Sequence, residues 1–132
     1  EEGLEKLLPL EEKYGDWWNL LFMIGLAYKN MGEMDKAKEY YEKILRMKPQ
    51  QVDTLVELAL CEASSLNMNR AIELLEAAAK LKEDPEILCN LGMAYLNVGN
   101  FDDANYYIER AYELNPEDEV TVACKRELAK YI

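Results

Sequence analysis

The sequence predicts an all-α fold, a solenoid of stacked antiparallel helix pairs, and three observations carry that expectation. Apolar residues recur three and four positions apart along most of the chain, the spacing that gathers them on one face of a helix. A whole register returns: Gly25-Leu26-Ala27-Tyr28-Lys29-Asn30-Met31-Gly32 comes back 67 residues later as Gly92-Met93-Ala94-Tyr95-Leu96-Asn97-Val98-Gly99. Gly and Pro punctuate the periodic segments where short turns between helices are needed.

The elements follow in order. Residues 1–16 carry Leu4, Leu7, Leu8 and Leu10, enough for a partial N-terminal helix that Pro9 is expected to interrupt. Helices are predicted over 17–31, 34–48, 52–66, 69–82, 85–98 and 101–114, with one further amphipathic helix over 117–131. Trp17-Trp18 opens the first of these and is read as packing against the N-terminal segment. Gly25 and Gly92 each cost a helix about 1 kcal/mol against Ala, a cost that close approach of a partner helix explains. Ala37, Ala71, Ala78, Ala104 and Ala111 are the small residues on the partner helices, while Tyr28 and Tyr95 fill the wider part of the seam. Pro49 and Pro116 deny helix continuation, and Asp84-Pro85 offers an N-cap followed by Pro at the first helical position. Glu117-Asp118-Glu119 places acids in the first turn of the last helix, where the helix dipole favours them.

The interval of 67 divides. Ala37, Ala71 and Ala104 are spaced 34 and then 33 residues apart, as Leu58 and Leu91 are 33 apart, which places a third, more degenerate unit between the two clear copies. The expected organisation is one domain over 1–132, with units at 18–51, 52–84 and 85–118 and a capping helix at 119–132.

This pattern resembles the tetratricopeptide repeat family, whose unit of about 34 residues is a helix pair. Its signature positions read Leu21, Ile24, Gly25, Tyr28, Ala37, Tyr41, Ile44 and Pro49 in the first unit, and Leu88, Leu91, Gly92, Tyr95, Ala104, Ile108, Ala111 and Pro116 in the third. The middle unit keeps Leu55, Leu58, Ala59, Ala71, Leu75 and Ala78, but Glu62 stands where Tyr is expected, Leu66 replaces the inter-helix Gly, and no Pro closes it. The resemblance implies a right-handed α-solenoid and a protein-binding function. Lys125 and Arg126 stand where a further unit would have Leu and Gly, as expected of a helix that ends the array with a polar outer side.

Composition narrows the function. The chain has 132 residues, half of them hydrophobic, with 15 Lys+Arg against 26 Asp+Glu and no His, for a net charge of −11. Such a charge disfavours nucleic acid and anionic membranes, both polyanions. Without His, the commonest general base and metal ligand are missing and no Ser/His or Cys/His nucleophile pair can be built. No phosphate-binding loop, zinc motif or calcium loop is present, so neither enzyme activity nor a cofactor or metal is expected. Cys61, Cys89 and Cys124 are far apart and in no ligand spacing, which reads as buried reduced thiols and, with no leader or membrane span, as a cytoplasmic protein. The chain opens on Glu1 without an initiator Met, which points to a piece of a longer parent, with an array closed at its C-terminus and open at its N-terminus.

In such a stack the first helices of successive units line the concave face. One stripe on them reads Asn19, Phe22, Leu26, Lys29 and Asn30, then Asp53, Val56, Leu60, Ala63 and Ser64, then Glu86, Cys89, Met93, Leu96 and Asn97. Phe22, Leu26, Val56, Leu60, Met93 and Leu96 would make a contiguous apolar floor, and Asn19, Asn30, Asn90 and Asn97 polar contacts to a peptide backbone. The expected partner is an amphipathic helix or an apolar peptide, possibly basic. Ordinary packing within a tight superhelix is the competing reading of the same residues. The family's clamp for a terminal carboxylate needs Lys, Asn and Arg where this chain has Phe22, Leu26, Glu57, Glu86 and Asn90, so chaperone C-terminal tails are not expected. Residues 83–119 carry nine of the eleven net negative charges, either a solvated surface or a rim that steers a basic partner. Two other expectations stay open: a regulatory or targeting module with its groove filled by the parent chain, and a monomer that self-associates weakly through Leu4, Leu7 and Trp17.

Overall fold

The computed structural model describes residues 2–14 and 17–131, with side chains over 4–11 and 17–131. Its elements are α1 (Glu2–Tyr14), α2 (Trp18–Asn30), α3 (Met34–Met47), α4 (Val52–Ser64), α5 (Met68–Leu81), α6 (Pro85–Asn97), α7 (Phe101–Leu114) and α8 (Glu119–Leu128). Among the described residues all regular structure is helical. The first six expected helices begin within one residue of α2 to α7. The pairs α2–α3, α4–α5 and α6–α7 pack along their lengths, α3 lies on α4 and α5 on α6, and α8 rests against both α6 and α7.

Each pair is closed by the same turn. Gly32 N–H donates to the Lys29 carbonyl and Glu33 N–H to that of Tyr28; Leu66 and Asn67 donate to Ala63 and Glu62, and Gly99 and Asn100 to Leu96 and Tyr95. This is the Schellman arrangement, which needs a left-handed residue just past the helix. Gly32 (φ 82°) and Gly99 (φ 81°) supply it without a Cβ penalty, whereas Leu66 adopts φ 64° with a branched side chain 86% exposed.

The small residues sit where the sequence places them. A Cβ built on Gly25 would lie 2.6 Å from Tyr41 Cε1, and one on Gly92 would lie 2.5 Å from Ile108 Cγ1. Tyr41 and Ile108 are fully buried, as are Ala37, Ala71, Ala78, Ala104 and Ala111. Tyr28 stacks on Tyr40 and Tyr95 on Tyr107, at ring-centroid distances of 5.8 and 5.7 Å. In the middle unit Glu62, at the position of those tyrosines, is 7% exposed, and the Lys38 ammonium reaches its carboxylate at 3.3 Å. The odd residue is therefore answered by a cation from the preceding unit.

Three expectations are corrected. Pro9 lies inside α1 and does not break it; Glu5 and Pro9 are both exposed, so the carbonyl left without its donor costs little. The last helix is shorter than expected, because the Asp118 carboxylate accepts from Thr121 N–H and sets its start, while turns follow Leu128. It buries Thr121, Cys124 and Leu128, and Tyr131 is 55% exposed, stacked on Phe101 at 5.7 Å. Leu4 does not face outward: it is buried with Leu20 and Ile24, with Leu7 and Leu8 packed beside it. The first unit is thus covered at its N-terminal side by α1. Cys61, Cys89 and Cys124 are buried and free.

Three stability outcomes follow from these contacts. Leu66→Gly should raise the urea midpoint by the equivalent of about 1 kcal/mol, the order of the left-handed penalty it removes. Gly92→Ala should lower it by about 1–3 kcal/mol, because overpacking against buried Ile108 outweighs the helix propensity gained. Lys38→Met should cost roughly 2 kcal/mol by leaving the Glu62 carboxylate buried without a cation, while Lys36→Met, which gives up only an exposed cation–π contact with Tyr28 at 5.5 Å, should cost about 0.5 kcal/mol.

Candidate functional site

The first helices α2, α4 and α6 present one face that the second helices do not cover. At its start a hollow of about 330 Å³ is lined by Phe22, Val52, Asp53, Val56, Glu57, Lys82, Asp84, Glu86 and Ile87. Four residues of the predicted stripe, Phe22, Asp53, Val56 and Glu86, meet there. Phe22 is also a packing residue: its ring lies 6.3 Å from that of Trp18 and 5.8 Å from that of Tyr41. Only part of its surface is left for anything else.

The hollow's charges divide into paired and unpaired. The Lys29 ammonium binds the Glu57 carboxylate across α2 and α4, and Lys82 lies 3.9 Å from Asp84. Asp53 and Glu86 are exposed and form no ion pair among the described residues. The apolar side chains of Phe22, Val52, Val56 and Ile87 are therefore edged by two carboxylates outside any ion pair, with Lys82 on the same rim.

Met93 lies apart from that hollow. It shares a second one, of about 450 Å³, with Glu119, Val120, Ala123, Cys124 and Glu127 of α8. Leu26 and Leu60 are half-buried and belong to none of the three core clusters, whereas Leu96 packs on the cluster of Leu88, Ile108 and Leu128. Asn19, Asn30 and Asn97 are exposed and Asn90 is half-buried. The expected floor is thus divided between two hollows, and Leu26 and Leu60 line neither. Sequence reasoning missed α8 as a wall of the second one; the signal was present in Val120 and Ala123, which stand at the concave positions of a fourth first helix.

Trp18 faces a different neighbour from the one expected. It lines a hollow with Lys48, Pro49, Gln50 and Gln51, at the turn between α3 and α4. Trp17, on the N-cap of α2, is 60% exposed. Among the described residues no group of three His, Cys, Asp or Glu side chains could hold a metal ion, and no helix is long and apolar enough to cross a membrane.

Comparison with known proteins agrees with this architecture. Tetratricopeptide repeat models match residues 19–51 and 85–118. Photosystem I assembly protein Ycf3 of Prochlorococcus marinus (strain NATL2A) is 31% identical over 124 residues, covering 86% of this chain and 71% of that protein. Among solved structures, a tetratricopeptide repeat protein from Parabacteroides merdae superposes with a TM-score of 0.88 at 18% identity, over 96% of this chain and 51% of that one. The first tetratricopeptide domain of Spaghetti (RPAP3), solved with the HSP90 peptide SRMEEVD, gives 0.79 at 19% identity over 86% and 90%. With its helix pairs, its left-handed turns and these matches, the chain belongs to the tetratricopeptide repeat family.

Proposed function

We propose that this chain is a non-catalytic scaffold that holds a basic, amphipathic segment of another protein on its concave face. The observation that carries the reading is the hollow between Phe22, Val56 and Ile87, edged by Asp53 and Glu86 without cations of their own. An apolar side chain of the guest enters the hollow, Leu26 and Leu60 extend the contact, and the exposed Asn19, Asn30 and Asn97 with half-buried Asn90 offer amide groups to the guest's backbone. Met93 and Leu96 continue the surface toward α8. A guest ending in a free carboxylate is disfavoured, since Glu86 stands where the clamp needs a cation and Glu57 where it needs an Asn.

The relation to a photosystem I assembly protein favours a role in assembly. In that role the scaffold holds a subunit segment for a limited time and releases it to its final neighbours. Moderate affinity and electrostatically driven association suit such work better than a permanent interface, because they keep capture fast and release possible.

Partners retained from lysate by the immobilised chain, identified by mass spectrometry and then made as peptides, test the reading. Leu60→Arg/Met93→Arg should abolish their retention, and Asp53→Lys/Glu86→Lys should slow association about tenfold and flatten its dependence on salt. Circular dichroism confirms that both variants fold. Unchanged retention by both would overturn the concave reading, and a mass that grows with concentration while Leu60→Arg abolishes the growth would assign the groove to a second copy.

A further inference from the structure

The outer side of the array carries another hollow, built from second helices and separate from the concave face. It lies between α5 and α7, measures about 350 Å³, and is lined by Glu76, Lys80, Glu83, Tyr106, Tyr107 and Arg110. Tyr106 and Tyr107 meet edge to face, with ring centroids 5.0 Å apart at 84°, and Tyr106 is 62% exposed. Tyr107 is backed by the parallel ring of Tyr95, whose hydroxyl donates to the Glu76 carboxylate at 2.9 Å. Glu76 forms no ion pair among the described residues.

The first unit shows what such a place holds. There Tyr40 is backed by Tyr28 and its hydroxyl donates to Glu11 at 2.7 Å. The Lys43 ammonium lies 5.9 Å from the centre of the Tyr40 ring and 3.2 Å from the Glu11 carboxylate. Ring and acid are thus satisfied by the chain's own lysine. In the repeat register Arg110 occupies the place of Lys43, Tyr107 that of Tyr40, and Tyr106 that of Glu39. Arg110, however, is engaged by a two-point contact with Glu83, Nε and Nη2 donating at 2.9 and 3.0 Å. The third unit therefore has a second ring and an acid bonded by the Tyr95 hydroxyl, and neither cation that lines the hollow, Lys80 or Arg110, pairs with that acid.

We propose that this outer hollow binds an alkylammonium cation, in nature a lysine side chain of a partner protein, against the joined rings of Tyr106 and Tyr107 and beside the Glu76 carboxylate. Ring faces attract a cation through their quadrupole, and a carboxylate shielded from bulk water strengthens the attraction. The tyrosine hydroxyls register the same field. Tyr95 and Tyr107 are held above the usual phenol range, first by burial and then by the Glu76 charge. A compact ammonium suits one acid and two rings better than a planar guanidinium, which would seek a second acceptor that Arg110 already occupies on Glu83. Lys80, exposed on the rim, competes for the place without an acid holding it there.

Titrating the isotope-labelled chain with n-butylammonium chloride tests this, with sodium chloride at equal ionic strength as reference and the tyrosine ring resonances as readout. Saturable shifts should appear at Tyr106, Tyr107 and Tyr95 and be absent at Tyr40. Tyr106→Ala, at an exposed position, should weaken binding about fivefold, and Glu76→Gln about tenfold. Lys80→Ala should leave the affinity equal or tighter. Shifts that are linear and matched by sodium chloride would overturn the proposal, as would saturation seen only in Lys80→Ala, which would give the hollow to the chain's own lysine. Leu60→Arg should not alter this titration, so the outer site and the concave reading fail separately.

Discussion

The close approach of the two helices in each pair is the constraint on which the rest of the array depends. At Gly25 and Gly92 the first helix gives up a side chain so that Tyr41 and Ile108 can sit against its backbone. Glycine weakens each helix by about 1 kcal/mol, and burial of a whole aromatic or branched side chain returns more than that. The approach also fixes direction. Because the Schellman turn begins one residue after each first helix, the second helix must start at once and run back along the first. With direction and spacing set in every pair, stacking leaves one face of α2, α4 and α6 without a helix over it. The concave face is a consequence of the pair geometry, not a separate feature.

The middle unit shows how far one position can depart while the geometry holds. Tyr28 and Tyr95 fill the seam with a stacked ring, and Glu62 at the same place fills it with a buried acid bound by Lys38. A ring stacks on a neighbour ring in its own pair, whereas the acid needs a cation, and that cation comes from the preceding unit. The exchange trades contact within a pair for contact between pairs. It ties α3 to α4 electrostatically at the junction where the sequence has its weakest repeat signature. What reads as wear in one unit is therefore part of the joint with the next.

This explains which features were legible. The helix bounds, the glycine and alanine seam and the stacked tyrosines all depend on residues within one unit, and periodicity exposes them. Glu62 with Lys38, Cys89 donating to Thr121 at 3.3 Å, and Tyr95 donating to Glu76 all join different units. No local pattern marks such pairs, because each partner belongs to a different turn of the period. The shape of the concave stripe was hidden for another reason. Periodicity assigns Phe22, Leu60 and Met93 to one face but says nothing of depth, so it could not show that Phe22 is half consumed by Trp18 and Tyr41 or that α8 walls off Met93. Pro9 misled because its usual cost assumes a carbonyl with no other partner, and on an exposed face water is that partner.

Charge completes the picture, and its distribution follows from the repeat rather than from composition alone. A solenoid exposes both a concave and an outer side of every unit, so an acid without a partner on either side stays available to a guest. The first unit supplies cations to its neighbours' acids: Lys43 and the Tyr40 hydroxyl hold Glu11 of α1, and Lys29 holds Glu57 of the second unit. Toward the third unit the cations thin out, Arg110 being the only one over residues 83–119, and it is committed to Glu83. Glu86 on the inside and Glu76 on the outside are left open at the same end of the array. The two proposed sites therefore share one electrostatic origin, the shortage of cations toward the C-terminal half, and differ in what lies beside the open acid, an apolar floor at Glu86 and tyrosine rings at Glu76.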